Sequence, residues 1–196
     1  MKKIVIALLA VGVVVSMVLV GAIALFTDSE TNPTNSFSTG TIDLAIDPAT
    51  AMFTVTDMAP GDVEYSGILM TNSGSLALRY AGNTTADGTS TLDEQLDLTI
   101  DVVTGNGTDA IWYTADDVVG EANIYGPDGV LSSAYIGDPT QGAQAGDRTL
   151  DESGGANDNE RLRFKVTLPS STDNSYQGDS CTVSFVFYAE QTANNP

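Results

Sequence analysis

Past residue 40, apolar residues recur at every second position in short runs, with turn-forming residues between the runs. Successive side chains of a strand point to opposite faces, so this period buries one face of a sheet and is incompatible with an amphipathic helix. Leu96, Leu98, Ile100 and Val102 fall on one face of a predicted strand. The run 162–168 repeats the pattern and ends at Pro169. In 181–189, Cys181, Val183, Phe185, Phe187 and Ala189 share a face. Further strands are expected over 41–46, 53–56, 63–71 and 76–81. Asn72-Ser73-Gly74-Ser75 reads as the turn of a hairpin between the last two, and Pro60-Gly61-Asp62 as a chain break. Thr91 to Gln95 fits a single helical turn. The expected fold class is all-β, an antiparallel β-sandwich.

Residues 104–160 interrupt the rhythm. They are rich in Gly, Asp, Asn and Ala, with brief apolar pieces such as Ile111-Trp112-Tyr113 and Val130-Leu131. We read them as a long insertion between two core strands, because a structureless loop of that length is unusual unless functional. Within it, Gly126-Pro127-Asp128-Gly129 reads as a turn. Trp112 with Tyr113 suits either a sugar-binding platform or, more commonly, an aromatic anchor for the loop.

The N-terminus carries Lys2 and Lys3, then an almost unbroken apolar run from Ile4 to Leu25. Ala22-Ile23-Ala24 supplies the small-x-small pattern that a signal peptidase reads, so residues 1–25 are expected to be a cleaved signal peptide. The run is also long enough to span a bilayer as a retained anchor. Residues 26–36 are then an N-terminal extended segment and 37–196 the sandwich domain. Removing 1–25 takes away two of the seven basic side chains and none of the 26 acidic ones, leaving a net charge of about −21. Such a surface repels nucleic acid and anionic lipid, so membrane contact is expected only through the signal segment before cleavage. About 170 residues suffice for one domain with a sizeable core.

Four blocks carry a family resemblance. The apolar run ends in Ala24-Leu25-Phe26-Thr27-Asp28 and is followed by Phe37-Ser38-Thr39-Gly40-Thr41-Ile42-Asp43-Leu44. Met58-Ala59-Pro60-Gly61-Asp62 and Asn72-Ser73-Gly74-Ser75-Leu76-Ala77 come next, then Asn174 to Gly178 with Val183 to Gln191. In this order they resemble the TasA/camelysin family of exported proteins, whose precursors are handled by a SipW-type signal peptidase. The resemblance implies a jelly-roll-like sandwich. It also implies that Phe26, Thr27, Asp28, Ser29, Glu30 and Thr31 form a donor strand that leaves its own subunit and completes a neighbour's sheet. Such a head-to-tail contact does not close on itself and propagates into a filament.

Chemistry is sparse in the residues themselves. The chain has no histidine, which removes Ser-His-Asp and Cys-His catalysis and the usual zinc-hydrolase ligand sets. The metallopeptidase label often attached to the resembled family therefore transfers badly, and no catalytic residue or required cofactor is expected. Asp109, Asp116 and Asp117 lie in a glycine-containing loop that suits a Ca²⁺ (calcium) site, although a solvated acidic loop is the commoner outcome. Asn83 and Asn106 fit the glycosylation sequon and are expected in surface loops. Cys181 stands alone and is expected to be a small core side chain.

The expected function is a structural subunit of an extracellular fibre or biofilm matrix, located outside the cell or on its surface. Its partner is another copy of itself, with other matrix components as further candidates. The alternatives are a secreted camelysin-like metallopeptidase and a monomeric cell-surface binding module.

Overall fold

In the computed structural model, residues 38–88 and 90–193 are described; the signal segment and the donor-strand residues Phe26 to Thr31 lie outside them. All strands belong to the compact unit Thr39–Pro196. The fold is mostly β and antiparallel throughout. The strands are β1 (Leu44–Asp47), β2 (Val63–Asn72), β3 (Leu78–Ala86), β4 (Asp97–Gly105), β5 (Val118–Val130), β6 (Tyr135–Ile136), β7 (Arg148–Leu150), β8 (Asn159–Thr167) and β9 (Val183–Gln191). A one-turn helix, α1 (Leu92–Gln95), links β3 to β4, as the sequence suggested.

The first sheet runs β1-β2-β8-β4-β5. The second is centred on β3, which pairs with β9 along nine residues, from Leu78 with Gln191 to Ala86 with Val183. Because β9 covers that whole length, β6 and β7 share the opposite side of β3, at Gly82–Asn83 and Leu78–Tyr80. Ile68 and Met70 from β2, Leu98 and Ile100 from β4, and Leu162 and Phe164 from β8 point between the sheets, each at most 2% exposed. Leu78 and Tyr80 face them from β3. This is the period-two face expected of both central strands, and burying each such side chain contributes about 1.5–3 kcal/mol.

Three local expectations are corrected, and the content of the stretch 104–160 is resolved. The segment 72–77 is a corner between sheets, since β2 and β3 lie in different sheets and do not pair. The fully buried Asn72 accepts from the Gly74 N–H and donates to the Leu76 and Asp151 carbonyls. Those three bonds replace the ladder that a hairpin would have provided. Residues 53–56 form no strand. They run unpaired while Met52, Phe53 and Met58 pack on the rim of the core, so the alternation reflects contact without a ladder. Gly126-Pro127-Asp128-Gly129 lies inside β5, where Gly126 and Asp128 take positive φ and the register with β4 shifts; it is a bulged stretch and not a connecting turn. Residues 104–160 supply β5, β6 and β7, so this stretch between the paired strands β4 and β8 adds strands to both sheets.

Candidate functional site

Three arrangements of side chains and one backbone edge stand out. The first is the loop 106–117, which carries the expected calcium residues. Asp116 accepts from the Thr108 N–H and hydroxyl, the Asp109 N–H and the Thr114 hydroxyl. These donors, led by the Thr108 hydroxyl, hold its carboxyl well below the usual range. Asp117 is buried and accepts from the Tyr113 and Thr114 N–H groups. Asp109 accepts from the Ile111 N–H. Each carboxylate is thus engaged in shaping the loop. Among the described residues no three His, Cys, Asp or Glu side chains are placed to hold a metal ion.

The aromatic pair anchors this loop to the outer face of the first sheet. Tyr113 packs over Gly67, where a Cβ would lie 2.1 Å from its ring, and its hydroxyl accepts from Arg161 at 3.2 Å. The Arg161 guanidinium lies 4.2 Å from the centroid of the Trp112 ring. The next arginine along that face, Arg163, pairs with Asp101 at 2.8 Å and donates to the Thr114 carbonyl. Sequence reading missed both arginines; the signal was their alternation along β8 opposite Asp101 of β4.

A second polar group joins the two sheets. Glu160 of β8 takes two bonds of 2.6 Å from Arg148 of β7 and a short bond from the Tyr80 hydroxyl of β3. Arg148 also reaches Glu121 of β5 at 2.9 Å. Burial, then the facing Glu160 charge, pushes the Tyr80 hydroxyl well above its ordinary value, so it stays a donor. The bidentate Arg148–Glu160 geometry fixes the spacing of the sheets at this point.

The sequons fall in different settings. Asn106 lies in the loop after β4, as expected. Asn83 is inside β3, half-buried between Val186 and Tyr135, and not in a surface loop. β3 continues to Ala86, past the expected strand end at Ala81, and so takes in Asn83. Cys181 is half-buried against the core, and burial raises its thiol pKa.

The edge is β9. Among the described residues no strand pairs with its far side. Its core-facing residues Val183, Phe185, Phe187 and Ala189 are only half-buried, whereas their counterparts in β4 and β8 are nearly sealed. Its register with β3 is unbroken, and it contains no proline.

These features define an antiparallel two-sheet sandwich with one long regular edge that no described strand covers. The chain matches the camelysin metallo-endopeptidase family over residues 1–112 and belongs to that family. No curated protein matches it. The family's description implies a metal centre, and the donor set does not fit one: the sequence has no histidine, and the described carboxylates are dispersed or already hydrogen-bonded. No catalytic step is therefore derived through a metal.

Proposed function

We propose that this chain is an exported structural subunit that polymerises head-to-tail, with residues 26–36 of one copy adding a strand to the open edge of β9 in the next. The observation that carries the reading is the half-buried apolar face of β9 beside a backbone edge that no described strand pairs with. An added strand would pair the N–H and C=O groups along the side of β9 that no described strand occupies, and would cover Phe185 and Phe187. Of the other described sheet edges, β1 is four residues long, β6 and β7 are two and three, and β5 has four register shifts against β4, so none offers a comparable template. The polar, threonine-rich composition of 26–36 suits an extended donor, with Pro33 ending its pairing on one side. Subunits carrying about 21 negative charges repel at low salt, where the screening length is roughly 30 Å at 0.01 M, so added salt promotes assembly.

Deletion of 26–36 tests this. The truncated domain should fold, because β2, β3, β4 and β8 supply most of the buried core of the described residues, and electron microscopy should show no filaments. A synthetic peptide of residues 26–36 should then raise its Tm and block polymerisation of intact subunits. Normal filaments from the truncated chain would refute strand donation.

A further inference from the structure

A cleft of about 560 Å³ opens where the end of β4, the start of β8 and β7 meet. That volume lies within the range of ordinary ligand sites. Trp112 and Arg161 form one wall, with the guanidinium stacked on the indole so that the aromatic surface is held in place. Facing groups are the hydroxyls and amides of Thr104, Thr149, Asn157 and Asn159, together with the Asp151 carboxylate, which accepts from the Asn157 N–H. Thr149, Asn157 and Asn159 are exposed. The nearby Glu160 is neutralised by its bidentate bond to Arg148, so it does not make the cleft anionic by itself.

We propose that this cleft binds a neutral, hydroxyl-rich oligosaccharide. An aromatic wall provides apolar contact to the C–H face of a sugar ring, and Thr and Asn side chains both donate to and accept from its hydroxyls. A polyanionic glycan is disfavoured by the net charge of about −21 after removal of residues 1–25. The cleft is reached from β7, and β3 separates β7 from β9, so a strand added at the β9 edge leaves it open. The proposal does not depend on the assembly reading.

The sequence contains one tryptophan, so the emission of Trp112 reports directly on this wall. The mature chain is titrated with cellohexaose, chitohexaose, maltohexaose and, as an anionic comparison, polygalacturonate, by fluorescence and by calorimetry. At least one neutral hexasaccharide should give saturable changes in both, with a Kd on the order of 1 mM or tighter. Thr149→Val, an isosteric change at an exposed position, and Asn159→Ala should each weaken that binding by about tenfold. Ser184→Ala on β9 should bind as the parent does. No saturable response to any neutral sugar at about 10 mM, binding of polygalacturonate alone, or unchanged affinity in both cleft variants would overturn the proposal.

Discussion

The two long sheet edges, β5 and β9, are built on opposite principles. β5 runs for thirteen residues, yet it is kinked repeatedly, and the side chains of its neighbour β4 hold it in that shape. Asp101 accepts from the N–H of Asn123, a residue at φ 56°, and Thr99 accepts from the N–H of Asp128. Bulges of this kind turn an edge away from incoming strands. β9 has none of them and keeps an even register with β3. The lesson is that a regular edge needs nothing added to it, while an irregular edge needs named side chains on its neighbour to keep it so.

The largest effect is expected at Asp101. It holds the β5 bulge and is also the buried partner of Arg163. Asp101→Ala should cost about 3–5 kcal/mol, because Arg163 would be left buried and uncompensated. Denaturant unfolding gives the cost, and amide exchange should rise across 118–130 while β9 is unaffected. A loss below about 1 kcal/mol would mean that the pair is effectively solvated and β5 keeps its shape by other means.

The next pair of changes compares core-facing phenylalanines. Phe164 of β8 is fully buried, and its ring meets Phe185 of β9 edge-to-face, with centroids 4.9 Å apart. Phe164→Ala should cost about 3–5 kcal/mol in isolated subunits. Phe187→Ala, at the half-buried edge, should cost clearly less in the monomer. In assembled material the gap should narrow, because an added strand would bury Phe187. Equal costs in the monomer would show that the edge is already covered.

Much of this was legible in the residues, and for a simple reason. A period-two pattern reports which side chains face a core, so the inward faces of β4, β8 and β9 follow from the sequence. The same pattern is silent on which strand lies beside which. Asn72-Ser73-Gly74-Ser75 has the composition of a hairpin turn, and it is held as a corner between sheets by the three bonds of the Asn72 side chain together with bonds linking 73–76 to Thr41 and Asp43. The stretch 104–160 was opaque because β5 is bulged: at Asn123, Gly126 and Asp128 the alternation slips out of phase. The cleft could not be read because Trp112, Thr149 and Asn157 are brought together only by tertiary contact.

A smaller effect concerns acid. Asp116, Asp138, Asp158 and Asp173 all have carboxyls lowered below the ordinary value of 3.8, chiefly by hydrogen bonds from Thr108, Thr140, Gly154 and Ser175 respectively. A lowered folded-state pKa contributes stability that is present above about pH 4 and lost as pH falls through the folded values. Asp97 works in the opposite sense: burial, then Asp128, raises it, favouring the fold at lower pH. The four outnumber the one, so Tm should fall on acidification from pH 5 toward pH 2, modestly, since Asp116, Asp138 and Asp173 are exposed to solvent and Asp158 partly so. Asp116→Asn should flatten part of that slope. A Tm that rises over this range would contradict the assignment.

The most direct measurement is amide hydrogen exchange on monomeric and filamentous material, resolved across β9 and β5. Strand addition at the β9 edge predicts that roughly half the amides of Val183–Gln191, those facing away from β3, become protected on assembly, because hydrogen bonds along one side of a strand alternate. Exchange in 118–130 should stay the same. Unchanged exchange in β9, with new protection in β5 or β1, would contradict the account.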